Sequence, residues 1–255
     1  MLVAQMGELG YESFEEQDEW LNAFIPQDLF DEQKVQEVLQ VHGLTFQSSL
    51  LPLINWNAEW EKNFQPVIID DFCAIRANFH EPIPSVQHEI VITPKMSFGT
   101  GHHATTEMMI RLMRGVNFTG KSVFDFGTGT GILAILADKS GAEKIIAIDN
   151  DEWSILNAAE NMSANDSKRI HLVHTGNIPA HDSFNIIVAN INKHVIMDTL
   201  QQLEKQLLPG GTILLSGLLE IDAKDVDNIA VRCGLTYRQQ CSKNGWIAMQ
   251  YDKAM

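Results

Sequence analysis

Residues 123–133 read VFDFGTGTGIL. An apolar run holding one acid, Asp125, meets glycines at positions 127, 129 and 131 and then an apolar helical run, ILAILAD. That order predicts a buried strand, a tight turn and the opening of a helix. Eighteen residues past Gly131, a second apolar strand, KIIAIDND, reaches Asp149. Strand, glycine turn, helix, strand and acid form the fingerprint of a nucleoside site on a doubly wound sheet.

The spacing selects among nucleosides. A dinucleotide turn runs G-x-G-x-x-G and seats a pyrophosphate on a helix N-terminus. Here the third glycine comes one residue early, and Asp125 stands two residues before the first. A carboxylate there repels a pyrophosphate, which argues against NAD. It suits a ligand carrying an ammonium and a sulfonium, namely S-adenosylmethionine. Asp149 is then placed to accept hydrogen bonds from both ribose hydroxyls. A glycine turn without a ligand is the poorer account, because glycine costs roughly 0.5–1 kcal/mol in a regular element.

With 255 residues, 45% of them hydrophobic, the chain can build one large domain, or a medium and a small one. It has no uncharged apolar run of about 18 residues, so no membrane span is expected. Its first residues, MLVAQMGELGYESFEEQ, are acidic and carry no basic leader, so no secretory signal is expected. Cys73, Cys233 and Cys241 show no metal-binding spacing and cannot all pair, which fits a reducing, cytoplasmic setting without a metal site. The net charge is −15, and residues 1–61 hold 12 acids against one base, Lys34. Such a segment repels nucleic acid and attracts basic proteins, although solubility alone is an equally good account of it.

In chain order, residues 1–9 predict a helix closing at Gly10, and YESFEEQ with EWLNAFIP a hairpin. FDEQKVQEVLQVH, residues 30–42, predicts an amphipathic helix with Val35, Val38, Leu39 and His42 on one face. GLTFQSSLLPLIN, from Gly43, predicts another strand. This is a ferredoxin-like α+β unit lacking its first strand, over residues 1–55. WNAEWEKNF, residues 56–64, predicts a helical linker with both tryptophans on one face and a hinge between domains. Residues 65–255 predict the ligand-binding domain. It opens with two strands, VIIDDFCAIRA and EIVITP. MSFGTGHHATTEMMIRLM follows: a glycine-rich loop over the ligand, Thr105 and Thr106 at a helix start, and Met109, Leu112 and Met113 facing inward. A threonine pair there is either an N-cap or a hydroxyl offered to the ligand. His102 and His103 are candidate bases, with hydrogen-bonding structural roles the commoner use of loop histidines. From Ser122 strands and helices alternate, predicting a parallel sheet. Pro209-Gly210-Gly211 predicts a turn into strand TILLSG, and Asn244-Gly245 a closing hairpin. The carboxyl edge then gathers Asp125 to Gly129, Asp149, Asn177 and Asn190, with Asn177 facing an adenine amine.

Taken together, FGTGHHATT, VFDFGTGTGIL, AIDND, VANI and LLSGLLE resemble the ribosomal protein L11 methyltransferases, and WNAEWEKNF and the acidic N-terminal unit match the same family. The resemblance implies a seven-stranded, Rossmann-like class I methyltransferase sheet whose last strand is antiparallel. It also implies a recognition domain that docks the ribosomal protein, and trimethylation of its lysines and N-terminal amine. The family's S-adenosylmethionine contacts fall on Thr106, Gly127, Asp149 and Asn190. Gly129 and Asn177 complete the expected cofactor set, and Asn190 is expected to orient the acceptor amine. Departures are Thr128 and Thr130, where the family often has cysteine and serine, Asn177, where an acid is more usual, and Asn192-Lys193 at the acceptor mouth. A monomer acting on protein rather than nucleic acid is expected, with S-adenosylhomocysteine as product. The rival readings are an N-methyltransferase of RNA or a small molecule on the same fold, and a catalytically silent S-adenosylmethionine-binding module.

Overall fold

The computed structural model describes residues 2–17, 20–51, 64–94, 101–180 and 182–255. It divides into two compact units, Met1–Glu59 and Trp60–Met255. In the first, helix α1 (Leu2–Glu8) precedes an antiparallel hairpin of β1 (Ser13–Gln17) and β2 (Trp20–Phe24), and α2 (Glu32–Val41) follows. The Asp31 side chain caps α2 by accepting from the N–H groups of Gln33 and Lys34 at 3.1 and 3.3 Å. Met6, Tyr11, Val35 and Leu39 form the buried core of this unit. The expected strand from Gly43 is absent over residues 44–51, and its remainder lies outside the described residues. Phe46 packs on the core, whereas Leu44, Leu50 and Leu51 stay exposed, so the apolar residues do not share a buried face. The expected linker helix lies outside the described residues except for Phe64.

The second unit opens with a three-stranded sheet of β3 (Val67–Ile69), β4 (Cys73–Ala77) and β5 (His88–Ile92). The single strand expected over VIIDDFCAIRA is a tight β3–β4 hairpin instead, turning at Asp70 with φ of 50°. Two consecutive acids resist burial in a continuous ladder, so they fall at the tip. Helix α3 (Ala104–Arg114) buries Met109, Leu112 and Met113 as expected, and also Met108 and Ile110.

The main sheet has seven strands. Its parallel part is β6 (Ser122–Phe126), β7 (Lys144–Asp149), β8 (Ile170–His174), β9 (Phe184–Asn190) and β10 (Leu207–Leu219); β11 (Leu235–Lys243) and β12 (Trp246–Lys253) close it. The order is β11-β12-β10-β9-β6-β7-β8, with β12 antiparallel to both neighbours. Four more helices intervene: α4 (Ile132–Lys139), α5 (Glu152–Ala164), α6 (Lys193–Gln206) and α7 (Ala223–Arg232). Alternation along β6 sends Val123 into one apolar cluster with α3, α4 and α5, and Phe124 and Phe126 into the other with α6 and α7. The sheet is therefore covered on both faces, and the strand order reverses between β6 and β9. Ligands of such sheets bind at that reversal, beyond the carboxyl ends of the strands. The turn expected at 209–211 is a strand irregularity: β10 runs through it, and its pairing with β9 shifts between Leu207 and Thr212. Asn244 and Gly245 both have positive φ and make the predicted final hairpin.

Candidate active site

The glycine turn hangs from β7. The N–H groups of Gly127 and Thr128 both donate to the Ile148 carbonyl at 2.9 Å. Asp149 continues that strand, and its carboxylate is already oriented: Oδ2 accepts from Gly129 N at 2.9 Å and Oδ1 from Asp151 N at 3.0 Å. A carboxylate offers about four acceptor positions, so about two remain for a ligand. Gly127, Gly129 and Asp149 are thus brought together as the sequence predicts.

Asp125 differs from expectation. It does not wall an open crevice but is fully buried beneath the turn, where Thr128 Oγ1 donates to its Oδ2 at 2.6 Å. Burial pushes its pKa up to about 7, against the opposing hydrogen bonds of Thr128 and the Ala134 N–H, with nearby Asp149 adding to the rise. Its place on β6, two residues from Val123, directs it under α4 rather than toward solvent.

On the other side of the reversal, Asn190 ends β9. Its Nδ2 donates to Thr106 Oγ1, on α3, at 3.4 Å. Two predicted site residues far apart in sequence therefore meet. The backbone behind them is tightly seated. Ile191 N donates to the Ser216 carbonyl at 3.1 Å. A Cβ on Gly217, whose φ is +85°, would stand 2.1 Å from the Ile191 carbonyl oxygen, and one on Gly127 would stand 2.2 Å from Ile191 Cγ2. Gly127 thus makes room for Ile191. The signal for Gly217 was available, since a glycine inside the apolar run TILLSGLL marks a bulge or close backbone approach. Its partner was not.

Lys193, at the start of α6, bridges Asp222 Oδ1 at 2.7 Å and Asp225 Oδ2 at 2.9 Å. Hydrogen bonds to those two carboxylates raise its pKa. The Asn192-Lys193 departure at the acceptor mouth is therefore a tie between α6 and the segment after β10.

Asn177 is exposed on the loop after β8, where its N–H closes a turn onto Thr175 Oγ1 at 3.1 Å. Thr175 N in turn donates to the Asp149 carbonyl at 2.8 Å, which attaches this loop to β7. Asn177 is not hydrogen-bonded to the Asn190–Thr106 pair.

The histidines of the glycine-rich loop serve structure. His103 caps α3, its Nδ1 accepting from Thr105 N at 3.4 Å and lying 2.8 Å from Thr105 Oγ1. The cap is thus His103, while both threonines are buried in the first helical turn. His102 Nε2 lies 2.9 Å from the Gln65 carbonyl oxygen. Lys95–Thr100, the rest of the loop, lies outside the described residues. No cluster of metal ligands occurs among the described residues.

The donor set fits a cationic nucleoside. Residues 123–133 contain no Lys, Arg or His to meet a phosphate. Asp149 offers negative charge and acceptors to a sugar, and Asn190 and Thr106 add an amide and a hydroxyl at the strand reversal.

Comparison with known proteins agrees with this chemistry. The family model described as Ribosomal protein L11 methyltransferase (PrmA) matches residues 6–254. A ribosomal protein L11 methyltransferase of Porphyromonas gingivalis is 39% identical, covering 98% of this chain and 89% of the relative. One of Bacteroides fragilis is 36% identical over 98% of this chain and 92% of the relative. The crystal structure of a ribosomal protein L11 methylase from Lactobacillus delbrueckii subsp. bulgaricus superimposes with a TM-score of 0.70 at 26% identity, covering 75% of this chain and all of that one. The match spans both the glycine turn and the Asn190 loop, and the chain belongs to the ribosomal protein L11 methyltransferase family.

Proposed function

We propose that this chain transfers methyl groups from S-adenosylmethionine to lysine and N-terminal amines of ribosomal protein L11. The observation that carries the reading is the Asn190–Thr106 pair, set at the strand reversal across from the Asp149-braced glycine turn. Asp149 accepts the ribose hydroxyls with the lone pairs that Gly129 and Asp151 leave free, and Asn177 stands on the loop beyond β8 for the base. S-adenosylmethionine supplies an electrophilic methyl group on a sulfonium. Asn190 and Thr106 cannot take up a proton at neutral pH, so their part is to hold the acceptor amine in line. Neutralising a lysine of pKa about 10.4 at pH 7 costs roughly 4–5 kcal/mol. A low-dielectric site beside a cation lowers that pKa, and the proton leaves to solvent before the amine is enclosed.

Residues 1–55 serve as the acidic recognition unit, residues 56–64 as the linker and residues 65–255 as the catalytic domain. The high acidity supports a basic protein as acceptor in place of RNA, with the chain acting as a monomer. Its three cysteines are free, which supports a cytoplasmic setting. Among the described residues no helix is long and apolar enough to cross a membrane.

Mass spectrometry of purified L11 and of naked ribosomal RNA, each incubated with enzyme and labelled S-adenosylmethionine, tests the acceptor. Label on L11 lysines and the N-terminus is expected; label on RNA alone would refute the assignment. Asn190→Ala is expected to lower kcat strongly, and an unchanged turnover would remove its role.

A further inference from the structure

Helix α5 carries asparagines at 157 and 161 and is capped at its C-terminus by Asn165, each one helical turn from the next and so on one face. They meet the edge of β5 that β4 does not cover and Thr93, the residue just past it. Asn165 accepts from Val91 N at 2.9 Å and donates to the Val91 carbonyl at 2.6 Å. Asn161 Oδ1 accepts from Thr93 N at 2.8 Å, and Asn157 Nδ2 donates to the Thr93 carbonyl at 3.1 Å. A primary amide presents a donor and an acceptor side by side, as a neighbouring strand would, so side chains complete the sheet edge.

Asn161 does more than its neighbours. It is fully buried, and its Nδ2 donates to the Thr130 carbonyl at 2.9 Å. Thr130 lies between Gly129, whose N–H is held by Asp149, and Gly131, the N-cap of α4. Thr93 is the first residue past the end of β5. The amide cannot turn over, because Thr93 requires its oxygen and Thr130 its nitrogen. Helix α5 also presses on the turn from the same side: a Cβ on Gly131 would meet Ala158 Cβ and Met162 Cε, both at 3.3 Å.

We propose that Asn161 is a positioning residue for the cofactor, fixing the Gly129–Gly131 turn against Thr93 at the end of β5. It touches neither cofactor nor acceptor and acts through Thr130. The inference rests on the reading of this turn as the S-adenosylmethionine seat. Asn165 bonds Val91 on β5 and Asn157 bonds Thr93, neither with a hydrogen bond to the turn, so they separate edge stability from cofactor positioning.

The test compares Asn161→Ala with Asn157→Ala and Asn165→Ala by calorimetric titration of S-adenosylhomocysteine, Tm, and amide hydrogen exchange of the turn in the ligand-free protein. All three are expected to lower Tm. Asn161→Ala alone is expected to weaken binding roughly ten-fold and to speed exchange at Gly129–Gly131. KM for S-adenosylmethionine should rise more than kcat falls. If Asn161→Ala is unfolded, Asn161→Asp, which keeps the acceptor for Thr93 and loses the donor to Thr130, is expected to show the same selective loss. Equal affinities and equal exchange across the folded variants would overturn the inference. Failure of the wild-type protein to bind the probe would instead overturn the cofactor assignment itself.

Discussion

Asp125 holds the turn at an electrostatic cost. Burial raises its pKa from 3.8 to about 7, so the folded chain binds a proton more tightly there than the unfolded chain. The sign follows from linkage: stability is highest below the unfolded value and falls as pH rises through the interval to about 7. At 1.36 kcal/mol per pKa unit the difference approaches roughly 4 kcal/mol. Asp125→Asn keeps an acceptor for Thr128 and cannot ionise. Urea unfolding from pH 4 to pH 8 should show the wild type losing stability relative to the variant, and parallel profiles would contradict the assignment. Gly217 is the other residue on which the site depends. An alanine there meets the Ile191 carbonyl at 2.1 Å in a backbone region disfavoured for side chains. Ile191 must shift, and Asn190 with it. Gly217→Ala is expected to lower kcat roughly 100-fold, in line with the cost of small misplacements at a reacting centre. Single-turnover kinetics at saturating cofactor would measure it.

At the scale of elements, α6 shows how the sheet holds the site in place. Ile196, Leu200 and Leu203 recur at helical spacing and are fully buried against the β9 and β10 face. Leu200→Ala should cost about 2–5 kcal/mol, read as a lower urea midpoint at unchanged slope. His102, just before α3, is structural in the same sense. His102 holds the Gln65 carbonyl and packs edge-on against Phe64 at 4.6 Å, while His80 Nε2 lies 2.7 Å from the Phe64 carbonyl oxygen. His102→Ala should therefore keep kcat within roughly ten-fold, whereas loss of a general base costs about 10²–10⁴. The helices and parallel strands from Ser122 onward were legible because their apolar periods match the faces they bury. The β3–β4 hairpin and the run through Pro209 were not, since pairing partners decide where a strand bends and periodicity does not name partners. In the candidate site, the placement of Asp149 beside the glycine turn and of Asn190 at the end of β9 was legible from local motifs. The Asn161 bridge and the Ile191 seat join segments distant in sequence, and no local pattern encodes them. Asp125 was found for its position, but its burial depends on which face of β6 it occupies.

For the whole molecule, the uneven charge is the property that bears on the proposed acceptor recognition. Residues 1–61 carry 12 acids and one base in a chain of net charge −15. Glu15 and Glu16 on β1, and Glu32 and Glu37 on α2, are exposed. Exposed acids contribute little to folding but generate a field that attracts a basic protein and raises its association rate. That field is screened over about 8–10 Å at physiological salt. Raising ionic strength should therefore increase KM for L11 while leaving kcat at saturating L11 nearly constant. Replacing Glu15, Glu16 and Glu37 with lysine should increase KM at low salt and flatten its salt dependence. The cofactor affinity of that variant should match the wild type, since the glycine turn, Asp149 and Asn190 are untouched. A KM for L11 indifferent to both salt and charge reversal would refute charge-driven recognition by this unit. Its exposed carboxylates would then serve solubility alone.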